Sequence, residues 1–352
     1  MSPLITTARA LVAPGKGLLA MDESVGTCNR RLAEFGIAQT EESRRRYREL
    51  LVTAPGLSEA ISGAILFDET LHQNTGDGVP FIDVLRSAGV LVGIKVDAGA
   101  KPLAGHAAEW VTEGLDGLRE RLAHYASLGA CFAKWRAVLA IGDGLPSWAG
   151  IQVNAHALAR YAALCQEALL VPIIEPEVLM DGDHTLARCA EVTAEVLHQV
   201  FEQLHRQGVA LEATILKPNM VLPGLGCTVP ASLDEVADAN LACLRHAVPA
   251  AVAGIAFLSG GQPAEWATAR LNAMHLRAAL ADPTAAGPSH GLPWPLSFSF
   301  GRALQQPALK LWAGDDANRA VAQRALLHRA RCNGAAVGGD YRPAMEAEGL
   351  RP

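Results

Sequence analysis

The sequence predicts a closed (β/α)8 barrel, and three observations carry that expectation. Eight short apolar runs recur along the chain, each nearly free of charge until its last residues, as strands buried on both faces are. Longer stretches with recognisable helix ends separate them. Seven of the eight runs end in polar or charged residues, at the positions where a barrel gathers its chemistry.

Taken in order, the first run, Gly17 to Met21, closes in Asp22-Glu23-Ser24. The second, Ile61 to Phe67, follows a helix capped by Thr40, which opens with Glu41-Glu42 and carries Arg44-Arg45-Arg46 on what reads as its exposed face. The third, Leu91 to Val96, contains Lys95 and leads to Asp97, and the fourth, Cys131 to Leu139, carries Lys134 and Arg136. The fifth, Val171 to Glu175, runs into Pro176-Glu177, and the sixth, Ala213 to Lys217, ends on a lysine followed by Pro218. The seventh, Gly254 to Ser259, passes into Gly260-Gly261, and the eighth, Leu296 to Phe300, includes Ser299 and precedes Gly301-Arg302.

Between the runs, Asp183 precedes a long helical segment stopped by Gly208. Ser232-Leu-Asp-Glu235 is a capping box, and Asn318 to Arg331 reads as a basic amphipathic helix. Residues 1–340 form one barrel on this reading, 341–352 a short polar tail, and the Pro- and Gly-rich stretch around 281–293 a loop before the last strand. A helical repeat array is excluded because the units share no repeated sequence. A doubly wound open sheet is the nearer rival, but it would draw its site from a few strand ends at a switch point.

Composition narrows the function. The chain has 352 residues, half of them hydrophobic, and a net charge of −6, which argues against a nucleic-acid surface. The seven cysteines form no C-x-x-C pair, the N-terminus carries no secretory pattern, and no run reaches the roughly 20 apolar residues of a membrane span. These features point to a cytoplasmic protein with reduced thiols. His184, His198, His205, His275 and His290 lack metal-ligand spacing, Cys165 and Cys189 read as packing residues, and no dinucleotide fingerprint or P-loop is present.

Lys217 is the most telling strand end. Alone, a lysine there is more often one that snorkels to solvent. Lys134 two strands earlier supplies a cationic neighbour able to lower its pKa and make it a Schiff-base nucleophile. Glu175 and Glu177 fall on one face of a continuous strand, unless Pro176 bends it, and suit proton transfer during imine formation. Structural ion pairing with Lys134 and Arg136 is an equally physical use for them. Asp22 adds a third acid near a substrate hydroxyl. Ser259, Gly260 and Gly261, with Ser299, Gly301 and Arg302, suit a phosphate after strands seven and eight. Ser24, Lys95 and Arg136 form a second cationic cluster across the mouth. Two anion sites about a nucleophilic lysine imply a bisphosphorylated carbonyl substrate.

These residues resemble the class I, Schiff-base fructose-1,6-bisphosphate aldolases. The resemblance spans about Thr7 to Tyr341 and rests on Gly15-Lys-Gly-Leu-Leu-Ala-Met-Asp-Glu-Ser24, Ile65-Leu-Phe-Asp-Glu-Thr70, Gly93-Ile-Lys-Val-Asp97, Phe132-Ala-Lys-Trp-Arg136, Glu175-Pro-Glu177, Leu216-Lys-Pro-Asn-Met220, Leu258-Ser-Gly-Gly-Gln262 and Phe298-Ser-Phe-Gly-Arg-Ala-Leu304. It implies that Lys217 forms the imine, with Glu175 the principal acid/base assisted by Lys134 and Glu177. Asp22 then aids removal of the C4 hydroxyl proton. Ser259, Gly260, Gly301 and Arg302 would hold the phosphate on the dihydroxyacetone side, and Lys95, Ser24 and Arg136 the other. No cofactor or metal is needed, and a homotetramer follows by analogy. Phe300 replaces a tyrosine common in the family, and the 281–293 loop is longer than usual. Animal members carry a longer tail ending in a tyrosine that moves a proton on the enamine. This chain ends in Gly-Leu-Arg-Pro352, leaving that step to another group, to a slower reaction or to Tyr341. A related aldolase for sedoheptulose 1,7-bisphosphate or fructose 1-phosphate is the alternative enzyme. A non-catalytic scaffold fits poorly with Lys217, Glu175 and Asp22 all present.

Overall fold

The computed structural model describes residues 2–281 and 291–348, so most of the 281–293 loop and the chain's last residues lie outside the described part. Eight parallel strands close on themselves: β1 (Gly17–Met21), β2 (Ile61–Leu66), β3 (Leu91–Lys95), β4 (Phe132–Leu139), β5 (Val171–Val178), β6 (Ile215–Leu216), β7 (Gly254–Phe257) and β8 (Leu296–Phe300). Each pairs with its neighbours in sequence, and β8 returns to β1 through Leu18↔Ser299 and Leu19↔Phe300. The barrel is therefore a TIM barrel. Between β3 and β4 the chain adds a small antiparallel ribbon, Ala100–Pro102 with Trp110–Thr112.

The first and last strands coincide with the apolar runs read from sequence, and two interior ones differ instructively. β5 continues past Glu175 and pairs with β4 in unbroken register from Phe132↔Val171 to Leu139↔Val178. Pro176 does not bend it. Ile174 accepts from the Lys217 N–H and the Val178 N–H donates to Asn219, so the backbone of every second residue here, Pro176 included, faces the β6 side. Regular β6 pairing has already stopped at Leu216, so the missing N–H of Pro176 costs no ladder bond. β6 itself is shorter than expected, because Leu211–Ala213 coils into a 3-10 turn. Lys217 is still held as a strand residue would be, its N–H donating to the Ile174 carbonyl at 2.8 Å.

Helix signals were more reliable at caps than at faces. Thr40 and Ser232 cap Glu41–Val52 and Leu233–Ala247 as read, and the Ser232–Glu235 capping box is complete. The long helix after β5 is Leu186–Arg206, and Thr185 rather than Asp183 accepts its N-terminal hydrogen bond. Arg44 is not on an exposed face. It is buried and reaches Glu69, in the short helix Asp68–Leu71 that follows β2, through two bonds of 2.7 and 2.5 Å. The last long helix runs further than read, over Arg319–Val337. No helix among the described residues is long and apolar enough to cross a membrane.

The strands' two-residue period divides the core. Inward residues Leu18, Ala20, Ile65, Phe132, Val171, Ile173, Ile215 and Ala256 fill the lower barrel, which Ala8, Leu11 and Val12 close from the first helix (Pro3–Leu11) and its end. The next inward positions going up β3, β4 and β5 are Lys95, Lys134 and Glu175. The apolar plug thus sets the floor of the polar mouth. Gly93, below Lys95, makes room for that plug: a Cβ there would lie 2.1 Å from the fully buried Phe132 ring. Gly93→Ala is expected to cost about 1–3 kcal/mol by overpacking. Urea unfolding checks this, with Phe132→Leu expected to recover part of the loss in the double variant.

Candidate active site

A cavity of about 490 Å³ opens at the C-terminal ends of the strands. Its wall includes Asp22, Ser24, Lys95, Lys134, Arg136, Glu175, Glu177, Lys217, Ser259, Gly260, Gly261, Ser299, Gly301 and Arg302, so every candidate residue read from the strand ends reaches one space.

At its centre, a chain of buried ion pairs runs across the barrel. Lys217 Nζ lies 3.1 Å from Glu175 Oε1. Glu175 Oε2 lies 3.1 Å from Lys134 Nζ, an ion pair that lacks hydrogen-bond alignment at that oxygen. Lys134 Nζ lies 2.7 Å from Asp22 Oδ2. The carboxylate of Glu175 therefore stands between two ammonium groups, rather than both lysines facing each other directly.

Asp97 completes this core and was passed over in the sequence, although it sits in the Lys95-Val-Asp97 run. Its carboxylate lies 3.3 Å from Lys95 and 4.0 Å from Lys134, and it accepts the Arg136 N–H at 3.2 Å. One acid thus positions three cationic residues at once. Lys95, Lys134 and Lys217 are matched by Asp22, Asp97 and Glu175, which keeps a largely buried cluster electrically neutral.

The charges shift one another's protonation. Burial alone would raise the Asp22 carboxyl, but Lys134 and then Lys217 hold it well below the ordinary carboxylate range. Burial opposes and Lys134, Lys217 and Arg136 together lower Glu175. Burial works against charge on Lys134 as well, yet Asp22, Glu175 and Asp97 raise it above the usual lysine value. The signs set a pH window. The depressed carboxylates stabilise the fold above their unfolded values near 3.8 and 4.5, and that share is lost as pH falls through their folded values. Raised Lys134 contributes fully below about 10.5 and is lost as pH rises through its folded value. The cluster's contribution is thus expected to be flat between those limits. A pH series of urea unfolding checks it, and a Glu175-dependent loss of stability beginning above pH 6 would contradict it.

Both edges of the mouth are built for anions. Gly260 and Gly261 take φ of +55° and +86°, a left-handed pair that few other residues could supply, and they turn the backbone after Ser259 into the cavity. Beside them Gly301 precedes the helix Arg302–Trp312, whose N-terminus carries positive partial charge. The Ser299 hydroxyl is buried and finds no hydrogen-bond partner among the described residues.

On the opposite edge, Ser24 caps the helix Val25–Ala33, accepting the Thr27 N–H and donating to the Thr27 hydroxyl. Thr27 and Arg31 also line the cavity and were missed. Their signal was available: positions 24, 27 and 31 share one helical face. Arg31 is not loose, because it pairs with Glu23, which Arg48 also holds at 2.7 Å. Lys95 lies over the Phe67 ring at 5.7 Å, and Arg136 pairs with Glu177 at the rim. Tyr341, the first residue of the expected tail, is buried away from this wall, and its hydroxyl donates to Glu346 at 2.9 Å.

A closed parallel barrel with a polar cavity at its strand ends has the architecture of a barrel enzyme. A family model described as fructose-bisphosphate aldolase class-I matches residues 3–350. The chain is 56% identical over 340 residues to a probable fructose-bisphosphate aldolase class 1 of Xanthomonas campestris pv. campestris, covering 96% of this chain and 98% of that protein. It is 50% identical to fructose-bisphosphate aldolase 6, cytosolic, of Arabidopsis thaliana, covering 96% of this chain and 91% of that protein. Among solved structures, fructose-bisphosphate aldolase from Plasmodium falciparum, in complex with TRAP and a small molecule inhibitor, superposes with a TM-score of 0.91 at 45% identity. That match covers 96% of this chain and 95% of the other. The chain belongs to the class-I fructose-bisphosphate aldolase family.

Proposed function

We propose that this chain catalyses reversible cleavage of fructose 1,6-bisphosphate to dihydroxyacetone phosphate and glyceraldehyde 3-phosphate through an imine on Lys217. The continuous line Lys217–Glu175–Lys134–Asp22, with contacts of 3.1, 3.1 and 2.7 Å, is the observation that carries this reading. The family membership supports the substrate class.

Glu175, ionised in the free protein, is set up first as a base. It takes the ammonium proton of Lys217, freeing the amine to attack the C2 carbonyl, and returns the proton as the carbinolamine loses water. The resulting iminium withdraws electrons. Asp22, also ionised, accepts the C4 hydroxyl proton while the C3–C4 bond breaks, its electrons passing to the iminium to give an enamine. Glyceraldehyde 3-phosphate leaves, C3 takes up a proton, and water hydrolyses the imine to release dihydroxyacetone phosphate. Lys134 stabilises the carboxylates on either side, and Glu177 assists while orienting Arg136.

Ser259, Gly260, Gly261, Ser299, Gly301 and Arg302 hold the phosphate on the dihydroxyacetone side on this reading. Ser24, Lys95 and Arg136 face the other, with Thr27 and Arg31 beside them. The reaction as written uses no metal or cofactor. By analogy with the family, the protein works in the cytoplasm as a homotetramer.

The test is borohydride reduction in the presence of dihydroxyacetone phosphate, followed by peptide mass mapping. A stable adduct confined to the peptide containing Lys217 is expected. Labelling of Lys134 or Lys95 instead would overturn the assignment.

A further inference from the structure

Away from the mouth, the C-terminal segment assembles three different metal-ligand types. His328 and Cys332 stand four residues apart on the helix Arg319–Val337 and so share a face. Glu346, on the short helix Met345–Glu348, folds back onto them. His328 Nε2 lies 3.6 Å from Cys332 Sγ and 3.7 Å from Glu346 Oε2, and the three donor atoms fall within 4.8 Å of one another. A tetrahedral zinc ion sets an N···S edge of about 3.6 Å and an N···O edge of about 3.4 Å, given its usual bond lengths. Both edges at His328 therefore stand near the length zinc requires.

We propose that His328, Cys332 and Glu346 bind a borderline-soft divalent cation, zinc in the first instance, which clamps the C-terminal segment to the last long helix. Both carboxylate oxygens are held in place: Oε1 accepts from Tyr341 at 2.9 Å, and Oε2, the oxygen facing His328, also pairs with buried Arg329, so the ion would share that oxygen with the guanidinium through its second lone pair. Arg329 is anchored independently by donating to the Thr268 hydroxyl at 2.5 Å, so Glu346 is not its sole support. Cys332 is fully buried, whereas the side chains of His328 and Glu346 are 21% and 20% exposed. The cluster thus opens to solvent along its His–Glu edge, which gives an entry path and room for water as a fourth ligand. Binding releases the Cys332 thiol proton to solvent, so affinity rises with pH. His328 was not among the histidines weighed in the sequence, because its partners are a cysteine one turn on and a glutamate in the next element. The site takes no part in the imine chemistry.

The full-length protein, stripped of metal, is titrated with Co²⁺ as a spectroscopic stand-in and then with Zn²⁺. One equivalent of Co²⁺ giving a thiolate-to-metal absorption band that Zn²⁺ abolishes is the expected result. Cys332→Ser is expected to remove the band and His328→Gln to weaken binding at least about tenfold, while Cys227→Ser changes neither. Because His328 is partly exposed, its variant carries the test even if the buried cysteine variant fails to fold. Absence of the band in the parent protein, or a band indifferent to His328→Gln, overturns the proposal. Neither readout depends on aldolase turnover, so failure here leaves the Lys217 assignment standing.

Discussion

Lys217→Met is expected to lower turnover by on the order of 10⁵-fold or more, the scale set by losing a positioned covalent nucleophile. The side chain is only 4% exposed and its ammonium faces Glu175, so methionine fills the same space without adding a buried polar group. Glu175 keeps Lys134 at 3.1 Å, but three buried acids then share two lysines, which costs about 1–3 kcal/mol for the lost charged contact. Cooperative urea unfolding at a lowered midpoint is therefore expected alongside the loss of turnover. The variant should also fail to trap dihydroxyacetone phosphate with borohydride. Residual turnover above about one part in a thousand, in a protein that unfolds cooperatively, would mean that another group supplies the amine.

Much of the site was legible because the barrel converts a one-dimensional pattern into a place. Buried strands must be apolar, so a lysine or glutamate that closes one is conspicuous, and the ends of all eight strands meet on a single face. Lys95, Lys134, Glu175 and Lys217 could be picked out on that ground alone. What escaped was information held in helices and in pairing. Thr27 and Arg31 lie on a helix face that looks like any solvated one until Ser24 is known to cap it at the mouth. Asp97 reads as an ordinary polar residue after a strand, and only barrel closure shows that it meets Lys95, Lys134 and the backbone of Arg136 together. Arg44 misled for the converse reason. Its charge suggested solvent, and its partner Glu69 is supplied by a different element. Long-range ion pairs carry no local periodicity, so sequence patterns report that a charge exists but not what it meets.

Lys134→Met is expected to combine a large loss of stability with a loss of activity, and the pH dependence separates it from ordinary core damage. One ammonium lies 2.7 Å from Asp22, 3.1 Å from Glu175 and 4.0 Å from Asp97. Methionine preserves volume but leaves these carboxylates short of a shared counter-ion, a situation that costs about 3–5 kcal/mol for a buried pair. Burial, now less opposed, pushes the Asp22 carboxyl, which has lost its direct partner, above its unfolded value, and moves Glu175 upward while Lys217 stays 3.1 Å from it. The linkage at Asp22 then reverses sign: the variant gains stability as pH falls toward that raised value, where the parent is flat. Turnover falls about 10²–10⁴-fold, the range for a disturbed acid–base pair, because Asp22 loses the ionised state in which it accepts a proton and Glu175 loses one of its two ammonium neighbours. Urea unfolding at about pH 5 and pH 8 is the discriminating measurement, since a buried carboxyl titrates between them once unpaired. A Lys134→Met protein equally destabilised at both would show that the lysine only fills space. One recovering toward the parent at the lower pH would show that its charge holds the Asp22 carboxylate ionised.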